Sequence, residues 1–153
     1  MNEVVDLMYV AQTKDTLSEI YLDSLKIRND VFVKEQGVPL SLEIDQDEAN
    51  AVHFVLYNEQ KEATATLRLL PIDGQTLKLQ RMAVPAAHRK KGLGRILIEG
   101  AEDFARKQGY QTIVLGAQLT AKGFYLSLGY QPEGEVFLDA DMPHIKMSKN
   151  LQD

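Results

Sequence analysis

The chain has 153 residues, 44% hydrophobic and 25% charged, proportions that fit one globular domain over residues 1–153 and exclude disordered and fibrous classes. A formal charge of −5 argues against a general nucleic-acid binder, because phosphate contacts need clustered cations. The absence of cysteine excludes disulfides, thiolate zinc sites and a cysteine nucleophile.

The start, Met1-Asn2-Glu3-Val4-Val5-Asp6, lacks a basic leader, and no window approaches the ~18 apolar residues of a membrane helix. The expected setting is therefore the cytoplasm, with no membrane partner. A first strand is expected over 4–10. Thr16-Leu17-Ser18-Glu19 has the spacing of a capping box. Leu17, Ile20, Tyr21, Ile27 and Val31 then outline a helical face, which predicts a helix over 16–34 ended by Gly37 and Pro39.

Residues 40–50 read as an acidic loop. Strands follow over 52–57 and 62–70, the second alternating Ala63, Ala65, Leu67 and Leu69 with Thr64, Thr66 and Arg68. Pro71-Ile72-Asp73-Gly74 is a turn signal, and with the strand over 77–84 it predicts an antiparallel hairpin. Leu93, Ile96, Leu97, Gly100, Ala101 and Phe104 line a helix over 92–108 closed by Gly109. A buried strand over 112–117, a helix over 121–128 and tail strands near 135–138 and 145–148 complete the order. This is an α/β or α+β domain with a mixed, mostly antiparallel central sheet flanked by helices.

Arg89-Lys90-Lys91-Gly92-Leu93-Gly94-Arg95 lies between a strand and a helix. A helix N-terminus offers unpaired N–H groups and about half a positive charge, and glycines let an anion approach the backbone. With these four of the 17 basic residues set aside, 13 face 22 acidic residues, or −9 for the rest of the chain. Positive charge is concentrated at one turn. The chain contains no Gly-x-x-x-x-Gly-Lys-Ser/Thr, and a dinucleotide fingerprint would need glycine where Leu97 stands.

Arg89-x-x-Gly92-x-Gly94, after Met82-Ala83-Val84 and before an amphipathic helix, resembles the acetyl-CoA signature of the GNAT acyl-CoA N-acyltransferase superfamily. Arg28-x-x-Val31-Phe32-Val33-x-Glu35-Gln36, Glu43-x-Asp45, Ala117-Gln118, Phe124-Tyr125-x-x-x-Gly129-Tyr130 and Pro143-His144 look like its ElaA/YjcF-like branch. The resemblance spans about residues 16–147 and implies a GNAT-like single domain. It implies an N-acetyltransferase that uses acetyl-CoA as cosubstrate and takes a small-molecule or peptide amine as acceptor. A homodimer is common for such a fold.

The resemblance further implies that backbone N–H groups of Lys90, Lys91, Gly92, Leu93, Gly94 and Arg95 hold the coenzyme pyrophosphate, with Arg89 and the other basic side chains helping. Met82, Ala83 and Val84 would pair with the pantetheine arm through their backbone, one N–H polarising the thioester carbonyl. Gln118 would bond the pantetheine, and Tyr125 would donate a proton to the departing thiolate.

Acyl transfer to an amine needs a base for the ammonium, donors for the oxyanion and a proton for the thiolate. The stretch Gln80-Arg81-Met82, where many relatives carry a carboxylate, has none. The candidate bases are Glu35, Glu43, Asp45, His53 and His144, of which Glu35 and His144 fall in family-like segments. Glu43, Asp45, Asp47 and Glu48 form either an acceptor-side wall for a cationic amine or a solvated loop. A calcium loop is disfavoured, since Asn50 and Leu56 stand where glycine and glutamate belong, so no metal is expected. The missing carboxylate keeps open a rival reading, a catalytically silent acyl-CoA-binding sensor.

Overall fold

The structure, a computed structural model, describes residues 8–152. Its centre is a seven-stranded sheet. In chain order the elements are β1 (Tyr9–Thr13), α1 (Glu19–Arg28), a wide π-helical continuation (Asn29–Glu35), α2 (Leu40–Glu43), β2 (Val52–Tyr57), β3 (Ala63–Pro71), β4 (Thr76–Ala83), α3 (Leu93–Lys107), β5 (Thr112–Gln118), α4 (Lys122–Ser127), β6 (Gln131–Asp139) and β7 (Met142–Asn150). The spatial order is β1-β2-β3-β4-β5-β7-β6, and only β4 and β5 run parallel. The expected α/β domain with a mostly antiparallel sheet is what forms. The strand expected over 4–10 lies mostly outside the described residues, and β1 begins at Tyr9.

The helix expected from 16 starts later. Asp15 Oδ1 accepts Leu17 N–H at 2.9 Å and the Asp15 carbonyl accepts Ser18 N–H at 3.1 Å, so an Asx turn occupies the first turn. Ser18 becomes the cap, accepting Tyr21 N–H at 3.2 Å. Leu17, the first residue of the expected helical face, lies before the helix and is 89% exposed. The face that packs is Tyr21, Ser24, Ile27 and Arg28. After Arg28 the helix loosens into π turns, which are frequent at functional sites.

The hairpin β3–β4 pairs antiparallel as expected, with Asp73 Oδ1 accepting Gln75 and Thr76 N–H groups in its turn. Ala65, Leu67 and Leu69 face Leu97, Ile98 and Ala101 of α3 in the main core. The alternate row is Thr64, Thr66 and Arg68. It is equally buried, because α1 covers that face. The threonine hydroxyls are satisfied by the carbonyls of Leu56 and Phe54.

One feature of the sheet makes the site. β4 and β5 are paired only at Thr76–Thr112, Leu77–Ile113 and Lys78–Val114. Beyond Lys78, β4 runs on beside β3 while β5 pairs with β7. The two central strands separate, and their facing edges carry backbone groups without a strand partner.

Candidate active site

The gap between the splayed strands opens a cleft of about 680 Å³. Leu79 to Met82 line one wall and Leu115 to Gln118 the other, with Phe32, Phe124, Tyr125 and His144 around them. The β4 wall is irregular. The step from Thr66 to Arg68 on β3 is matched by the longer step from Gln80 to Ala83 on β4, a β-bulge. Arg81 within it has φ +59°, a left-handed conformation uncommon for a non-glycine residue.

The basic turn stands after β4. Lys90 (φ +65°) and Gly92 (φ +74°) both turn left-handed, and α3 begins at Leu93 with no side-chain cap on its N–H groups. Gly94 sits in its first turn, where an added Cβ would lie 2.8 Å from Met82 Cε and 3.4 Å from Phe124 Cζ. The four cations are not equivalent. Arg89 Nε donates to the Val84 carbonyl at 2.7 Å, and its two terminal nitrogens grip Glu35 at 2.7 and 2.6 Å. Arg95 reaches Ser127 Oγ and Glu99. Lys90 and Lys91 are exposed and form no ion pair among the described residues.

That geometry decides against Glu35 as a base. It stands outside the cleft lining, and the Arg89 guanidinium holds its carboxyl below the usual carboxylate range. It is a brace between the π-helical segment and the turn.

Tyr125 lies on α4 with its ring packed edge-on to Phe124 and Tyr130, at centroid distances of 5.1 and 5.8 Å. Its floor is rigid. Tyr130 donates to Glu102 Oε2 at 2.8 Å, and Lys149 Nζ closes on Glu102 Oε1 at 2.9 Å. Burial pushes the Tyr125 phenol up to about 12.

His144 faces Gln118 across the β5–β7 ladder and Phe137 across β6–β7. Its ring stacks on Phe137 at 5.8 Å, and Nδ1 lies 2.8 Å from the Met142 carbonyl. A carbonyl only accepts, so Nδ1–H is the donor of this bond, which leaves Nε2 as the acceptor nitrogen of the neutral ring. The structure thus gathers Met82, Gln118, Tyr125 and His144 around one cleft and leaves Glu35 outside it.

The acidic loop is neither a solvated run nor a wall of free carboxylates. Three arginines from α1, β3 and β4 bind three of its acids. Arg28 pairs with Glu43 (2.7 Å) and Glu48 (2.8 Å), Arg68 with Asp45 (2.8 Å) and Glu48 (3.0 Å), and Arg81 with Glu43 (3.2 Å) and Asp45 (3.1 Å). Glu43 and Asp45 therefore arrive at the site already neutralised. Asp45 is held well below the usual carboxylate range, chiefly by its hydrogen bond from Arg68. His53, another base candidate, is 1% exposed and bonded to the Glu48 carbonyl through Nε2 at 2.7 Å. Burial lowers its pKa, and it is a structural residue under the loop.

Among the described residues no group of three or more His, Cys, Asp or Glu is arranged to hold a metal, and no helix is long and apolar enough to cross a membrane.

Comparison with known proteins bears on this geometry. The model of the acetyltransferase (GNAT) domain matches residues 16–151. The uncharacterized N-acetyltransferase YjcF of Bacillus subtilis (strain 168) is 40% identical over 129 residues, 84% of this chain and 91% of the relative. Among solved structures, ElaA from Escherichia coli superimposes with a TM-score of 0.81 at 27% identity, covering 94% of this chain and 99% of that one. An acyl-CoA N-acyltransferase from Pseudomonas aeruginosa gives 0.79 at 28%, covering 93% and 99%.

Proposed function

The chain belongs to the GNAT acetyltransferase family and is an N-acetyltransferase of its ElaA/YjcF-like branch, and we propose that it moves an acetyl group from acetyl-CoA to a primary amine by direct attack on the thioester. The observation that carries the reading is the junction of two unpaired strand edges with an uncapped helix N-terminus. An extended pantetheine arm can satisfy the β4 edge, while a pyrophosphate suits the α3 amides and the exposed Lys90 and Lys91. The residues present fit such a coenzyme.

Three roles follow. A backbone N–H at Met82–Val84 polarises the thioester carbonyl, and Gln118 offers an amide to the pantetheine. His144 takes a proton from the acceptor ammonium at Nε2. As the nitrogen bonds to the carbonyl carbon and the C–S bond breaks, Tyr125 gives its proton to the leaving sulfur. The second proton shed by the nitrogen replaces the one Tyr125 lost. Holding amine and thioester together supplies much of the rate, and no covalent enzyme intermediate is involved.

Free thiol released from acetyl-CoA across a panel of small and peptide amines tests this directly. The protein has no cysteine, so signal above an enzyme-free control is released coenzyme. Thiol release dependent on one amine is the expected result. Tight coenzyme binding with silence across the panel would overturn the transferase assignment in favour of an acyl-CoA sensor.

The turn has its own test. Gly94→Val places a branched side chain against Met82 and Phe124, over the α3 amides. Coenzyme affinity should fall at least ~10-fold by calorimetry, about 1.4 kcal/mol, with the fold intact by circular dichroism. Unchanged affinity would remove this turn as the pyrophosphate site.

A further inference from the structure

We propose that Arg81 is a positioning residue that fixes the β4 bulge, and with it the backbone N–H facing the thioester, by anchoring the bulge to the 42–45 loop. The inference rests on the acetyl-CoA reading above and concerns a residue outside the reacting set.

The backbone at Arg81 is in a left-handed conformation that strains an ordinary residue, so something must hold it. The bulge sits where β4 has lost β5 as a neighbour, and on that side no strand ladder constrains it. The side chain supplies what the ladder does not. Arg81 Nη2 donates to Asp45 Oδ2 at 3.1 Å and reaches the Leu42 and Glu43 carbonyls at 3.4 Å each. Its Nε is buried 3.2 Å from Glu43 Oε2 without pointing its N–H at that oxygen, so this contact is an attraction between charges.

The anchor point is itself fixed. Arg28 Nε binds Glu43 Oε2 at 2.7 Å and Nη2 binds the Glu43 carbonyl at 2.6 Å. Arg68 holds Asp45 with both terminal nitrogens at 3.0 and 2.8 Å, and its Nε donates to Gln80, the residue before the bulge, at 3.0 Å. The acids nearest Arg81 therefore cannot follow it if it moves. A bulge tied through a planar guanidinium to such a frame presents its N–H groups in one direction. Preorganised donors of this kind do their work only when they need no reorientation.

The test separates anchoring from strain. Glycine accepts φ +59° without penalty, so Arg81→Gly relaxes the backbone while removing the tether. Asp45→Ala removes the side chain that Arg81 Nη2 binds on the loop and carries the test if Arg81→Gly fails to fold. The readout is the infrared carbonyl stretch of acetyl-CoA, carbon-13 labelled at the thioester carbonyl and bound to each protein. Wild type should lower the stretch relative to free acetyl-CoA. In both folded variants it should return most of the way to the free value while coenzyme A affinity is retained. A merely structural Arg81 would lower the melting temperature and leave the stretch of the folded variants unmoved, which overturns the proposal alone. Failure of wild type to bind acetyl-CoA would overturn the coenzyme reading and this inference with it.

Discussion

Replacing Glu48 with alanine should destabilise the protein by about 3–5 kcal/mol, the cost of removing one partner from a buried ion pair. Glu48 is 8% exposed and its partners Arg28 and Arg68 are each 1% exposed. Oε1 accepts from Tyr21 and Arg28 at 2.9 and 2.8 Å, and Oε2 accepts from Arg28, Arg68 and the Asp45 amide at 2.9, 3.0 and 3.0 Å. Alanine leaves two buried guanidiniums short of charge and a tyrosine hydroxyl without its acceptor. The measurement is urea unfolding: the midpoint should drop at an unchanged slope. Loss of less than about 1 kcal/mol would show that the network is not what holds the loop.

The same residue dictates an acid limit. Burial works to raise the Glu48 pKa, but hydrogen bonds from Arg28 and the Asp45 amide outweigh it and hold the group at about 2 against its ordinary 4.5. A carboxylate whose folded pKa is depressed contributes stability above its unfolded pKa and loses it as pH falls through the folded one. Wild type should therefore weaken progressively from about pH 4.5 down to 2. Glu48→Gln, already uncharged, should weaken less steeply over that window.

The network also marks where sequence reading stops. α3 and the β3–β4 hairpin were legible because local periodicity and turn chemistry encode them. The basic turn that opens α3 was legible as a turn because its glycines and cations fall within seven residues. The acid run at 43–48 could not be read correctly, because its meaning lies in arginines 15 to 38 residues away. The β3 alternation set Arg68 opposite the apolar row without saying what covers its face, and α1 covers that face here. The bulge at Arg81 gave no signal, since the position carries no glycine. Glu35 looked like a base because it sits in a family-like segment, and only the fold brings Arg89 to it.

Replacing Tyr125 with phenylalanine should lower turnover by about 100-fold, the lower end of what a positioned general acid contributes, while acetyl-CoA affinity changes little. The substitution removes one oxygen and little else. The ring packing against Phe124 and Tyr130 is kept, and the hydroxyl has no hydrogen-bond partner among the described residues that would be stranded. Stability should therefore be unchanged, which separates the two roles a buried tyrosine can play: a packing tyrosine would give wild-type turnover, whereas a proton donor cannot be replaced by a ring without a proton. Its raised pKa fixes the pH dependence as well. The phenol is the donating form and is lost only as pH rises through about 12, so turnover of wild type should show no alkaline decline near 10, where an ordinary tyrosine ionises. Single-turnover thiol release from acetyl-CoA, measured for both proteins with the same amine, decides it: equal rates would remove Tyr125 from the chemistry and leave the leaving sulfur to take its proton from solvent.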